Sequence, residues 1–261
     1  MKGKTVLKIL GVGVLAGGLV LLMSFVHRKQ AKVLCESMEI EIPGAEFLIT
    51  VAEVEAMIHR ADSAILSRPI TYAGLRNLER RIKESPYVED VSVYAGVNGV
   101  LKVDVTQRKP LVRIINQQNK HFFLDAKGNK MPLSPNYTPR VLVASGEIAE
   151  PPGSVHDTLS TELARDILTV AQAINQDPFW KAQIGQIYVN KEQDMELIPR
   201  VGDHRIVIGN AQGLEAKLEK LLIFYRTAMP RVGWATYKVI NLKYGDQIVA
   251  TRADHKQIQE Q

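Results

Sequence analysis

The chain has 261 residues, of which 46% are hydrophobic and 23% charged, which is ordinary for a globular protein and leaves room for a membrane anchor and one or two folded domains. Its net charge of +5 comes from the first 29 residues, which hold five of the 33 Lys and Arg and no Asp or Glu, so 28 basic and 28 acidic residues remain. A neutral remainder lacks the electrostatic attraction of nucleic-acid-binding proteins, so no nucleic-acid partner is predicted.

An apolar run without charges, residues 9–26, stands close to the start of the chain. Its 18 residues just reach the length that crosses the hydrocarbon core of a bilayer. Arg28 and Lys29 follow shortly after it instead of the small residues of a cleavage site, which favours an uncleaved transmembrane helix. Residues 1–8 are predicted to stay in the cytoplasm because a very short leader with three lysines resists translocation, and the bulk of the chain then lies outside.

Residues 33–109 predict a first folded domain. Alternating residues over 33–42 indicate a strand, and Thr50 followed by Glu53 indicates a capping box at the start of a short helix. Thr71 begins a second helix that ends before Pro86. Two valine-rich strands then flank Asn98-Gly99, which is typical of a β-hairpin turn. This order predicts a three-stranded sheet with two helices on one face.

Residues 110–252 predict a second, mixed domain, so that the fold class is α+β. Its helices are expected to begin after the cap Thr161 and at Leu214. Residues 253–261 are polar and are predicted to be a disordered tail. The predicted strands of the second domain are 111–115, 121–124, 130–133, 140–144, 184–190, 195–198, 205–208, 237–242 and 247–251.

No set of residues in the sequence forms a recognisable catalytic, cofactor or metal site, and none is predicted. The six histidines are scattered, and His121 and His204 are expected to be surface or partly buried residues. An enzyme would be indicated only if the fold gathered Asp203, His204 and Glu196 in one cleft. The single cysteine, Cys35, excludes an intramolecular disulfide and is expected to be a small buried apolar residue.

Three segments in a fixed order carry a resemblance to a known family. Glu84 to Val93 places a Pro, an aromatic residue and a Val after a helix; Val103 to Pro110 ends in Gln-Arg-Lys-Pro; Phe122 to Gly128 reads Phe-Phe-Leu-Asp-Ala-Lys-Gly. Together they resemble the FtsQ/DivIB family, strongest from about Tyr87 to Gly146. The short cytoplasmic tail and the long 61–70 loop depart from the family pattern.

The resemblance implies a single anchor, a POTRA domain and a β domain, arranged as a non-catalytic divisome scaffold in the bacterial inner membrane at the septum. It also implies that the POTRA domain and the anchor recruit other division proteins. The β domain would bind FtsB/FtsL-type partners through its last strand, within residues 241–251. The implied partner-binding residues are Tyr244, Gln247, Ile248, Val249, Ala250 and Thr251.

A terminal strand is also a physically reasonable docking site, because its unpaired backbone groups accept a further strand. Tyr244 then acts as an anchor, or else packs on its own hairpin. Trp234 is a second anchor candidate, although a tryptophan near a helix end is often core. Two other classes stay open: a POTRA-type chaperone of a secretion pathway, which would need repeated units and a barrel, and a membrane-bound cell-wall enzyme.

Overall fold

A computed structural model describes residues 13, 17, 18, 35–45, 47–67, 71–96, 98–153, 157, 159–245 and 247–253, except for the side chains of Tyr72 and Ala73. The chain divides into two compact units between Gln107 and Arg108. The predicted cytoplasmic tail, most of the predicted transmembrane helix and residues 254–261 of the predicted C-terminal tail lie outside the described residues. Within the described ranges, no helix combines the length and apolar character needed to cross a membrane.

The first unit follows the predicted order of strand, helix, helix, strand and strand. Its sheet has the order β1-β3-β2, in which β1 runs parallel to β3 and β2 runs antiparallel to it. A short 3₁₀ turn between the helices was not predicted. The elements are β1 (Ser37–Glu41), α1 (Val51–Ala61), the 3₁₀ turn (Ile65–Ser67), α2 (Tyr72–Lys83), β2 (Val88–Ala95) and β3 (Val100–Gln107).

Side chains cap both helices of the first unit. Thr50 Oγ1 accepts a hydrogen bond from the Glu53 N–H at 3.3 Å, and Glu53 Oε2 accepts one from the Thr50 N–H at 2.8 Å. This confirms the predicted capping box. Thr71 Oγ1 accepts from the Gly74 N–H at 3.2 Å at the start of α2. These bonds satisfy N–H groups that have no partner within a helix.

The core of the first unit lies between the two helices and one face of the sheet. Cys35 is fully buried there, as predicted, and burial raises the pKa of its thiol. On the other face of the sheet, Lys102 pairs with Glu39 and Asp104 accepts a hydrogen bond from the Tyr94 hydroxyl. Among the residues of this core are Val54, Ile58, Leu78, Ile82, Val91, Val93, Leu101, Val103 and Val105.

The second unit is built on a nine-stranded sheet with the order β12-β11-β10-β9-β8-β7-β4-β5-β6. Most neighbours are antiparallel, but β4 with β7, β7 with β8, and β10 with β11 are parallel. The elements are β4 (Pro110–Ile115), β5 (His121–Asp125), β6 (Lys130–Met131), β7 (Leu142–Gly146), α3 (Glu162–Gln176), α4 (Pro178–Gln183), β8 (Ile184–Val189), β9 (Met195–Pro199), β10 (Arg205–Gly209), α5 (Leu214–Thr227), α6 (Met229–Val232), β11 (Tyr237–Asn241) and β12 (Val249–Arg252).

Two short helices, α4 and α6, differ from the prediction. Asp177 ends α3 and caps α4, where its Oδ1 accepts a hydrogen bond from the Phe179 N–H at 2.8 Å. Pro178 follows in the first turn, a position where a missing N–H costs nothing. Pro230 occupies the same part of α6. Neither helix was predicted, because helices of six and four residues are too short to show a helical repeat of apolar positions.

An ion pair joins two of the sequence segments that resemble the family. Arg108 Nη1 lies 2.9 Å from Asp125 Oδ2, and both side chains are largely buried. Asp125 Oδ1 also accepts hydrogen bonds from the Lys127 and Asn129 N–H groups at 2.8 and 2.9 Å. The turn closes at Gly128, whose φ of +81° favours glycine. The arginine of the segment from Val103 to Pro110 and the aspartate of the segment from Phe122 to Gly128 therefore stabilise one turn.

A second, fully buried ion pair holds the long loop between β7 and α3. Lys130 Nζ lies 2.6 Å from Glu150 Oε1, with 3% and 0% of the two side chains exposed. Glu150 also accepts hydrogen bonds from the backbone N–H and hydroxyl groups of Ser160 and Thr161. Burial raises the pKa of the Glu150 carboxyl, but the bonds from Lys130, Ser160 and Thr161 outweigh it and lower the pKa to about 2.

We predict that Glu150→Gln lowers the free energy of unfolding by about 3 to 5 kcal/mol, because it leaves the buried Lys130 ammonium without a counter-charge. Chemical denaturation at pH 7 measures this loss. Glu219→Gln, at an exposed position on α5, is the matched control and should change stability by less than about 0.5 kcal/mol. Because the folded pKa is lowered, the wild-type contribution should disappear as pH falls from about 4.5 to about 2. Equal stabilities of wild type and Glu150→Gln would contradict the role of this pair.

Candidate partner-binding edge

The strand β12 ends the nine-stranded sheet, and β11 is its only neighbour in the described part of that sheet. The two strands are antiparallel, with Asn241 opposite Val249 and Val239 opposite Thr251. In such a ladder, successive residues of the outer strand direct their backbone groups alternately toward the neighbour and away from it. The free side of β12 therefore carries N–H and C=O groups that a further strand could bond.

The six residues predicted to bind a partner lie in β12 and in the segment just before it. Tyr244 is 51% exposed in the loop that follows β11, so about half of its surface is open to a partner. Val249 is 42% exposed, while the side chain of Ile248 packs against the core. Gln247 and Thr251 are exposed and Ala250 is half-buried. The structure thus brings these residues together along one edge of the sheet.

Residues outside the predicted set hold the loop that carries Tyr244. Lys220 Nζ, on α5, donates hydrogen bonds to the carbonyl oxygens of Tyr244 and Gly245 at 2.9 and 2.7 Å. Lys243 Nζ lies 2.6 Å from Asp194 Oδ2, in the turn between β8 and β9. These contacts fix the loop from two sides, so that the start of β12 has a defined position.

A groove of about 670 Å³ opens beside this loop. Its walls are the end of β10, the first turns of α5 and the segment from Leu242 to Gly245. Lys217, Lys220 and Lys243 line it, together with Asp194. The groove therefore borders the loop that leads to β12 and carries an excess of positive charge.

The lysines of the groove interact unfavourably with one another. Lys217 Nζ donates to the carbonyl oxygens of Ile208 and Asn210 at 2.8 and 2.9 Å. Burial, and then the nearby Lys220, lower the pKa of the Lys217 ammonium, and Lys243 adds to this effect while Asp166 and Asp194 oppose it. Negative charge entering the groove would relieve the repulsion. Lys217 and Lys220 were missed from sequence because a lysine on an amphipathic helix normally faces solvent.

The structure does not gather His204, Asp203 and Glu196 into a catalytic cleft. Contrary to expectation, His204 is only 1% exposed, and its Nε2 lies 2.7 Å from the Tyr225 hydroxyl oxygen. Glu196 instead accepts hydrogen bonds from Asn190 and Arg205. Trp234 packs against the His204 ring in the core cluster and is not part of the edge. In the ranges that the structure describes, no three acidic, His or Cys residues are grouped as metal ligands.

The order of strand, helix, helix, strand and strand in the first unit is that of a POTRA-like domain, which places the chain among POTRA-containing proteins. Residues 33–106 match the POTRA-like domain family, and residues 109–251 match the family described as FtsQ/DivIB, C-terminal related. The second match covers more than half of the chain, which therefore belongs to the FtsQ/DivIB family. This confirms the resemblance seen in the sequence.

A named relative is similar over much of the chain. The cell division protein FtsQ of Rhodothermus marinus is 26% identical over 183 residues. The similar stretch covers 69% of this chain and 66% of the relative. The chain thus spans just under two thirds of the length of that protein.

We predict that Lys220→Met loosens the loop that carries Tyr244, because it removes both hydrogen bonds to the loop carbonyls. Amide hydrogen exchange across residues 243–248 should become roughly tenfold faster, as expected for the loss of about 1.4 kcal/mol of local stability. Lys181→Met, at an exposed position on α4, is the control and should leave this exchange unchanged. Unchanged exchange in Lys220→Met would show that the loop is held by other contacts.

Proposed function

We propose that the protein is a non-catalytic, membrane-anchored scaffold of bacterial cell division. It links early and late division proteins at the septum by binding FtsB/FtsL-type partners through the free edge of β12. Family membership and the name of the Rhodothermus marinus relative support the division role. The observation that carries the binding mode is the free outer edge of the terminal strand β12. The side chains of Val249, within the strand, and Tyr244, just before it, are exposed beside this edge.

Strand addition explains how such an edge binds a partner. An extended segment placed against β12 forms backbone hydrogen bonds that supply affinity, while side chains on alternate positions supply specificity. Tyr244 stands at the start of the strand, where an aromatic side chain can be covered by the partner and contribute strongly to binding. The loop contacts of Lys220 and Lys243 stabilise this arrangement before the partner arrives, which lowers the entropic cost of binding.

The charge of the groove predicts a second property of the partner segment. Any strand that pairs with β12 has one of its ends beside Val249, at the loop that borders the groove. Acidic side chains just beyond that end would meet Lys217 and Lys220. Charge pairs of this kind raise the association rate and select among competing partners. The expected partner segment is therefore an extended stretch flanked by carboxylates.

The anchor and the first unit complete the proposed scaffold. Residues 9–26 cross the inner membrane, residues 1–8 stay in the cytoplasm, and both folded units lie on the outer side of that membrane. The POTRA-like unit and the anchor recruit other division proteins. In this proposal, the FtsB/FtsL-type partners bind a separate region, the β12 edge of the second unit.

We predict that Tyr244→Ala weakens binding of the extracytoplasmic FtsB- and FtsL-type segments of the same organism by about 30-fold, as expected for the loss of about 2 kcal/mol at an interface anchor. Titration calorimetry on the detergent-solubilised full chain measures the dissociation constant. The control is Tyr188→Ala, an exposed tyrosine on β8 in the same sheet. Absence of binding by wild type with intact circular dichroism would reject the proposed function.

Proline substitutions test whether the backbone of β12 is the contact. The N–H groups of Val249 and Ala250 face opposite sides of the strand, because successive residues alternate. One of Val249→Pro and Ala250→Pro should lower the melting temperature by breaking the ladder with β11. The other should leave the melting temperature unchanged and weaken partner binding about tenfold or more. Full affinity in both variants would exclude strand addition.

The groove lysines should make partner binding sensitive to salt. We predict that wild-type affinity falls between 50 and 500 mM NaCl and that the double variant Lys217→Gln/Lys220→Gln flattens this dependence, because exposed charge pairs are screened. The matched control, Lys181→Gln/Lys191→Gln, removes two exposed lysines elsewhere in the second unit. A salt dependence that is equal in wild type and in the groove variant would contradict electrostatic recognition by the groove.

A further inference from the structure

Three segments of the second unit meet at the buried side chain of His204. The imidazole precedes β10, contacts Tyr225 of α5 through Nε2 at 2.7 Å, and stacks on Trp234 with ring centroids 6.1 Å apart and planes 26° from parallel. Trp234 in turn meets the ring of Tyr225 edge-on at 5.0 Å. The buried Nδ1 of His204 has no hydrogen-bond partner among the described residues. The ring is therefore well packed, but one of its two nitrogens has no hydrogen bond to a described residue.

This stack lies close to one end of the antiparallel β11–β12 pair, where β11 begins and β12 ends. Trp234 lies three positions before Tyr237, the first residue of β11, and the carbonyl of Thr236 accepts a hydrogen bond from the Ala253 N–H, just after β12, at 3.0 Å. On the other side, Arg205, which follows His204, pairs with Val239 of β11. The position of Trp234 thus determines where β11 begins and where β12 ends.

A positive charge on His204 would be poorly accommodated. An imidazolium needs an acceptor for each of its two N–H groups, yet only Nε2 has a neighbour, the Tyr225 hydroxyl. Burial lowers the pKa of His204, and the exposed Asp203 opposes this only in part. Burial also raises the pKa of Tyr225, so its hydroxyl stays protonated and provides no counter-charge.

We propose that the His204–Trp234 stack is a pH-sensitive latch on the edge strand, which holds the ends of β11 and β12 while the imidazole is neutral and releases them when it is protonated. Because the folded pKa is lowered, the latch is complete above the ordinary histidine pKa of 6.5 and weakens as pH falls below it. The consequence for partners rests on the proposed function: a loosened β12 would hold an added strand less tightly. The latch itself does not depend on a partner.

Hydrogen exchange of the detergent-solubilised full chain at pH 7.5 and 5.5, without any partner, tests the latch. After correction for the intrinsic pH dependence of exchange, protection at residues 237–239 and 251–253 should fall severalfold at pH 5.5, and by at most roughly tenfold, because the opened form takes up a proton that burial disfavours in the closed form. Protection of β4 should stay unchanged. His204→Phe keeps an aromatic ring in place and should abolish the pH effect, whereas the control His121→Phe should retain it.

Equal protection of the strand ends at both pH values would overturn the latch. An equal loss of protection at pH 5.5 in His204→Phe and in wild type would also overturn it. A fall that includes β4 would indicate general acid destabilisation and would also overturn it. If His204→Phe does not fold, NMR titration of the wild-type His204 ring decides the question. Its midpoint should coincide with the midpoint of the exchange change at Tyr237, and separate midpoints would reject the link. Loss of partner binding, which tests the proposed function, has no influence on these readouts.

Discussion

An open β-sheet must end in strands that have a neighbour on one side only, and this constraint organises the second unit. The strand β12 has no neighbour on its outer side in the described sheet, and other contacts hold the chain before and after it. The loop before it is bonded to α5 and to the β8–β9 turn, and the residue after it is bonded to Thr236. These contacts hold the edge strand before any partner binds, which is the arrangement that the proposed docking site requires.

Local signals predicted most of the fold. The capping box at Thr50, the cap at Thr161 and the Asn98-Gly99 turn each act within a few residues, so the sequence alone indicates them. The family segments around Arg108 and Asp125 could also be recognised because their order and spacing are fixed. The last strand was predicted from its own residues, whereas its role as a partner-binding edge was implied by the resemblance.

The parts that could not be predicted depend on contacts between distant residues. Lys220 lies some 25 residues before the carbonyl groups that it bonds, and Lys217 gains its perturbed environment only when β10 and α5 come together. His204 was expected to be a surface or partly buried residue, but Tyr225 and Trp234 pack against it and it is buried. Nothing in a single sequence marks these pairings, because the sheet order that creates them is a property of the whole fold.

The shared ion pair of Arg108 and Asp125 has a consequence for how relatives of this chain are compared. The residues that make the chain recognisable as a family member stabilise a turn at β5 and β6, at the opposite end of the sheet from β12. The turn that carries much of the family resemblance therefore lies apart from the edge strand proposed to bind a partner. A relative could keep this turn and still differ along its terminal strand, so recognising the family does not by itself identify the partner.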